Sequence, residues 1–154
     1  MEATETKAGR DVESEGFASA EELREVLDRL LSEADADPEV GSRLRSARVP
    51  HRLVFPDLGV ILNVTASDDP EHSIRWAFSD EIDWKPSLTL EMDSGTANMY
   101  LQGRENLAIA MTRRKVRISC TEARAALSFL PATRSLVAPY RRLIARSYPH
   151  LEAG

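Results

Sequence analysis

The side chains in this sequence with the means to do chemistry are three histidines, one cysteine and one knot of acids. His51, His72 and His150 stand in three separate regions, and none has a second ligand at the short spacing a metal site uses. A zinc site also draws on cysteine, and Cys120 is the only one present. A cysteine nucleophile must be exposed and activated. Cys120 falls at an inward position of a predicted strand, where a small buried thiol is expected. Asp80, Glu81 and Asp83 crowd beside Trp84. Paired carboxylates do acid–base work when one is buried, but these lie in a polar connection, which predicts a solvated loop. The seven glycines never reach the spacing of a phosphate-binding loop. Arg113-Arg114-Lys115 closes a predicted helix, where the macrodipole favours cations, with a lipid headgroup or phosphate as the functional reading. The expectation is a protein with no catalytic residue, no metal and no cofactor.

What remains is apolar, and its periodicity defines the elements. Ser19-Ala20-Glu21-Glu22 is a capping box, and the helix after it carries Leu23, Val26, Leu27, Leu30 and Leu31 on one stripe to about Asp35. Asp37-Pro38 starts a second, short helix. The period then changes to two: Val60, Leu62 and Val64; Ile74, Trp76 and Phe78; Leu88, Leu90 and Met92; Val116, Ile118 and Cys120 alternate with more polar neighbours. Residues 51–55 add a further strand. Ser67-Asp68-Asp69-Pro70 predicts a turn that makes an antiparallel hairpin of the strands near 60–66 and 73–79. Asp93 or Ser94 caps a helix to about Leu101, stopped by Gly103, and another helix runs from Asn106 to about Arg113. Thr121 caps a helix over 123–130, stopped by Pro131. A last helix over 132–147 should kink or break at Pro139. A sheet with one apolar face needs helices to cover it, so the fold class is α+β.

Length and charge set the outer limits. A chain of 154 residues suits one domain over 18–151, preceded by an acidic head, 1–17, with almost no large apolar side chains, which should be disordered. No apolar run is long enough for a membrane span, and the N-terminal residues lack the pattern of a secretory signal. With a single cysteine, this points to a cytoplasmic protein. Residues 1–46 hold 13 acids and 6 bases, whereas residues 104–146 hold 10 bases and 2 acids. A basic face attracts anionic membrane or an acidic partner. Aromatics are not interleaved with the arginines, so nucleic acid is not an expected partner. Arg outnumbers Lys 17 to 3, which hints at a bacterial source.

Three segments in order carry a family likeness. They are Leu88-Thr89-Leu90-Glu91-Met92-Asp93; then Leu101-Gln102-Gly103-Arg104-Glu105-Asn106-Leu107-Ala108-Ile109-Ala110; then Lys115-Val116-Arg117-Ile118. Together they resemble the sterol carrier protein 2 (SCP2) domain, best over about 84–130. The sequence departs from that pattern around the basic strand, where the family's glycines are replaced by Arg113 or Arg114 and by Cys120. The resemblance implies a five-stranded, mainly antiparallel sheet with helices on one face. An apolar tunnel would lie between them, and residues 132–147 would form a lid. It implies a stand-alone carrier for a sterol, fatty acyl chain, phospholipid or isoprenoid-type lipid. On this reading Trp76, Phe78, Leu90, Met92, Met99, Leu107, Met111, Phe129 and Tyr140 wall the tunnel. Arg113, Arg114, Arg141 and Arg142 meet a headgroup or membrane surface. The alternative is a scaffold or accessory subunit that docks on a partner enzyme through its basic C-terminal helices.

Overall fold

The computed structural model describes residues 16–121 and 123–153. The acidic head through residue 15 lies outside the described residues. Phe17, which the sequence assigns to that head, packs half-buried against the core.

The first helix, α1 (Ala20–Ala36), begins at the predicted box: Ser19 Oγ accepts from the Glu22 N–H at 3.1 Å, and Glu22 Oε1 accepts from the Ala18 N–H at 2.8 Å. Its stripe, Leu23, Val26, Leu27, Leu30 and Leu31, is buried. The Asp37 carboxylate caps α2 (Pro38–Ala47), accepting from Glu39 and Val40. Gly41 is where α2 crosses the turn at Ser73; a Cβ there would lie 2.6 Å from Ser73 Oγ. Five strands follow: β1 (His51–Phe55), β2 (Val60–Ala66), β3 (Ile74–Ala77), β4 (Leu88–Met92) and, after two helices, β5 (Val116–Cys120). They form one sheet in the order β3-β2-β1-β4-β5. β1 and β4 pair in parallel, and every other neighbour is antiparallel, including the predicted β2–β3 hairpin.

Register puts Phe55, Leu62, Val64, Ile74, Leu88, Leu90, Met92 and Val116 on the buried face. The other face carries cross-strand polar pairs: Arg52 Nε donates to Asn63 Oδ1 at 2.9 Å, and Arg117 meets Glu91 at 3.0 Å. That face is open to water toward β5, where Arg117 and Ser119 are exposed. Near β3 the 78–87 connection covers it: Asn63 is fully buried and donates to the Ser79 carbonyl, and the Arg75 guanidinium stacks over Trp84 at 4.5 Å.

Two short helices, α3 (Ser94–Leu101) and α4 (Leu107–Thr112), join β4 to β5. Both end in the same Schellman geometry, with the Arg104 N–H on the Met99 carbonyl and the Lys115 N–H on the Ala110 carbonyl. The residue after the cap needs a left-handed backbone. In α3 it is Gly103 (φ +78°); in α4 it is Arg114 (φ +63°), at the place where the resemblance expects glycine.

Three expectations fail in the C-terminal third. Cys120 is exposed, not buried. It keeps its inward register opposite Leu88 but lies at the end of an edge strand, where no helix covers it. Thr121 donates its N–H to the carbonyl of Ser87, just before β4, at 3.0 Å, and its place as the cap of the next helix adjoins residue 122, outside the described residues. Pro131 does not stop α5 (Ala123–Arg134); it sits inside. The carbonyl it leaves without a donor belongs to Leu127, which is 73% exposed, so water can supply the bond. The break before α6 (Val137–Ser147) comes at Ser135-Leu136. Pro139 then falls in the first turn, where its missing N–H costs nothing. A single 3₁₀ turn, Pro149–Leu151, follows.

Candidate functional site

The buried face of the sheet and the helices above it do not close completely. Between them lies a partly enclosed cavity of about 70 Å3. Its floor is His51, Leu53 and Phe55 of β1, Leu62 and Val64 of β2 and Met92 of β4. Its roof is Leu27, Leu30 and Leu31 of α1, Ala97, Tyr100 and Leu101 of α3, Leu107 of α4, Phe129 and Thr133 of α5, and Leu136. Strand alternation and helical stripes send these side chains inward, so the wall is almost wholly apolar.

Three polar side chains break that wall. The Tyr100 and Thr133 hydroxyls are bonded to each other, and Thr133 also donates to the Leu130 carbonyl at 3.1 Å. Burial holds the Tyr100 phenol above its ordinary range. His51 Nδ1 lies 2.9 Å from the Val49 carbonyl. A carbonyl only accepts, so Nδ1 carries the proton and Nε2 keeps its lone pair. Burial lowers the His51 pKa to about 4, so the ring is neutral at pH 7. Its edge packs on Phe129 with ring centroids 4.8 Å apart.

Two further spaces adjoin the cavity. A smaller void of about 30 Å3 shares Leu31, His51, Val64, Phe129, Thr133 and Leu136 with it, so the His51–Phe129 pair is part of the partition. On the other side an open groove shares Tyr100 and Leu107 with it and continues over Leu130 and Val137 to Arg104 and Arg134.

Of the expected wall residues, Met92, Leu107 and Phe129 line the cavity. Leu90 and Tyr140 are fully buried but behind that wall. The Tyr140 hydroxyl donates to Asn98 Oδ1 at 2.6 Å. Met99 and Phe78 are half-buried away from the cavity. Trp76 is half-buried and donates from Nε1 to Asp28 of α1 at 2.9 Å. Met111 is exposed, because α4 turns only Leu107 and Ala110 inward. Arg113, Arg114, Arg141 and Arg142 are all exposed. Arg114 borders a separate groove with Lys115 and Arg117.

Sequence reasoning missed His51, Tyr100, Thr133 and the α1 leucines as wall residues. His51 had a legible signal: it shares strand parity with Leu53 and Phe55. Among the described residues no group of three His, Cys, Asp or Glu side chains gathers as a metal site, and no helix is long and apolar enough to cross a membrane.

No family model matches the sequence, and no curated protein matches it. Among solved structures, the sterol carrier protein domain 2 of Helicoverpa armigera superposes over 72% of this chain and 84% of its own, with 14% identity and a TM-score of 0.55. The UbiJ-SCP2 ubiquinone synthesis protein superposes over 87% of this chain and 93% of its own, with 12% identity and a TM-score of 0.51. The chain has the SCP2 fold. A sec-alkylsulfatase from Pseudomonas sp. also matches 60% of this chain at a TM-score of 0.49, and this chain spans 14% of that enzyme's length.

Proposed function

We propose that this SCP2-fold protein is a non-catalytic carrier for a hydrophobic small molecule of the sterol, fatty acyl, phospholipid or isoprenoid type. The observation that carries the reading is the nearly all-apolar cavity that shares two wall residues with an open groove. A site built this way excludes water and offers contact area without a nucleophile, which suits holding a molecule rather than changing it. The SCP2 relatives named above add support.

Size decides how loading must work. The cavity holds about 70 Å3, roughly half the ~150 Å3 that accepts one benzene. The closed form is therefore the empty form. A ligand enters by parting α4 and α5 from the sheet and by turning Phe129 away from His51, which merges the two voids. Ten methylenes leaving water return roughly 8 kcal/mol, enough to offset separating two short helices. Met92, Leu107 and Phe129 are the first contacts, and Trp76, Phe78, Leu90, Met99, Met111 and Tyr140 frame the widened space. Arg113, Arg114, Arg141 and Arg142 meet an anionic membrane surface while the ligand passes.

Native mass spectrometry of freshly purified protein, before and after organic extraction, tests this. A discrete excess mass that extraction removes is the expected result and identifies the ligand class. A clean apo mass, with no change in Trp76 or Trp84 fluorescence on adding fatty acids, sterols or quinones, overturns it. A stable complex with a partner enzyme would then favour the scaffold role.

A further inference from the structure

The groove beside the cavity is not lined like the cavity. Tyr100 and Leu107 belong to both, and Leu130 and Val137 extend the apolar path outward. At the outer end stand Arg104, Glu105, Asn106 and Arg134. Two of these four are already engaged. The Glu105 carboxylate pairs with Lys115 at 3.5 Å, and the Asn106 side-chain oxygen accepts from the Ala108 and Ile109 N–H groups at the start of α4. Arg104 and Arg134 are exposed, and among the described residues neither has a carboxylate partner. The α5 C-terminus favours a cation at Arg134, but nothing of that kind applies to Arg104, which follows the left-handed Gly103. Two guanidiniums without a carboxylate partner among the described residues thus line one groove that shares Tyr100 and Leu107 with an apolar cavity.

We infer that this groove is the mouth of the cavity, and that Arg104 and Arg134 bind the carboxylate or phosphate of a single-tailed anionic amphiphile whose tail passes Tyr100 and Leu107 into the interior. The inference rests on the carrier reading and adds a charge preference to it. Guanidinium forks match carboxylate and phosphate oxygens, whereas a neutral hydroxyl offers them one weak acceptor. It also separates two roles among the arginines. Arg104 and Arg134 border the mouth; Arg113, Arg141 and Arg142 line neither cavity nor mouth, and Arg114 borders another groove. Selection by the mouth is by headgroup charge, because the apolar interior discriminates weakly between tails.

Hexadecanoic acid, hexadecyl phosphate and hexadecanol share one tail and differ at the head. Their affinities for the full chain are measured by titration below micelle concentration at pH 7.5. The expected result is that the acid or the phosphate binds about tenfold or more tightly than the alcohol, the worth of charge-assisted bonds to a headgroup. Whichever binds more tightly identifies the headgroup. The double variant Arg104→Gln/Arg134→Gln should bring the anions to the affinity of the alcohol and leave the alcohol unchanged. Arg24→Gln/Arg45→Gln, at exposed arginines that line neither cavity nor groove, should change none of the three. Equal binding of acid, phosphate and alcohol to the unaltered protein overturns the mouth assignment while the carrier reading stands. So does a double variant that keeps its preference for anions. If none of the three binds, both readings fail together.

Discussion

The two ends of the helical layer are held by different forces. Where α1, α3 and α6 meet, the contact is sealed by polar groups as well as by Leu23, Val26, Leu143, Ile144 and Leu151. Asn98 Nδ2 donates to the Leu151 carbonyl at 3.0 Å, and Gln102 Nε2 donates to the same carbonyl at 2.8 Å. Tyr140 completes the set through Asn98 Oδ1. Arg146 with Glu33 (2.7 Å) and His150 with Glu22 (3.0 Å) rim the outside. Where α4 and α5 lie over the sheet, the interior contacts are apolar apart from the Tyr100–Thr133 hydroxyl pair and His51, the helices are short or interrupted by proline, and both voids adjoin them. Ile109 (49% exposed), Met111 (43%) and Leu127 project outward from them. Directional bonds fix one geometry, whereas apolar contacts accept several. The molecule thus has a fixed end and a yielding one, and the cavity opens from the yielding end.

The contrast breaks most sharply at Asn98. Asn98→Leu leaves the buried Tyr140 hydroxyl without its acceptor and removes one of the two donors to the Leu151 carbonyl, and should cost about 3 kcal/mol in urea unfolding. A loss under about 1 kcal/mol would mean the fixed end is not fixed by this network. Next comes pH. His51 is neutral when folded because its pKa is lowered to about 4, so the unfolded chain binds its proton first as pH falls. Its share of stability is whole above pH 6.5 and is lost between there and about pH 4, about 2 kcal/mol allowing for its partial exposure. His51→Phe should flatten that slope. His72 has the opposite sign: the bond to Asp35 raises its pKa, so its contribution is present below pH 6.5 and fades as pH rises through the raised value. Parallel unfolding curves for His51→Phe and the unaltered protein from pH 4 to 8 would refute the burial of that ring.

At the yielding end, Leu107→Trp fills both the cavity and the inner mouth. It should weaken binding of a lipid at least tenfold while costing about 1 kcal/mol of stability. A variant that loads normally would place the cavity elsewhere. Arg114→Gly relieves the left-handed backbone after α4 and should stabilise by about 0.5 kcal/mol, the residue of relieved strain over added chain entropy. Leu127→Glu should change stability by less than about 0.5 kcal/mol. A larger loss would show that Leu127 is covered in solution.

Much of the frame was legible from local chemistry. Alternation marked four of the five strands, the capping box marked α1, and Ser67 to Pro70 marked the β2–β3 turn. Alternation assigns faces but not neighbours, so the parallel β1–β4 pair was not legible. Prolines misled in α5 and α6 because their cost depends on where the helix begins and on whether the orphaned carbonyl meets water. The cavity wall was half legible. Met92, Leu107 and Phe129 follow from type and face. Trp76 and Met111 were placed in the wall because they are large and apolar, yet one bonds to Asp28 and the other points outward. Which apolar side chains border a void depends on how helices dock, and one sequence does not encode that locally.

The bond from Asn98 to Leu151 spans 53 positions of the chain. At about 5–20 residues per second, translation takes roughly 1.5–6 s to go from the end of β5 at Cys120 to Leu151. Every strand has been made by residue 120, so the sheet is complete while its seal is still being synthesised. For those seconds the nascent domain presents an open apolar face to its surroundings, a period in which a chaperone and a first ligand compete for the same surface.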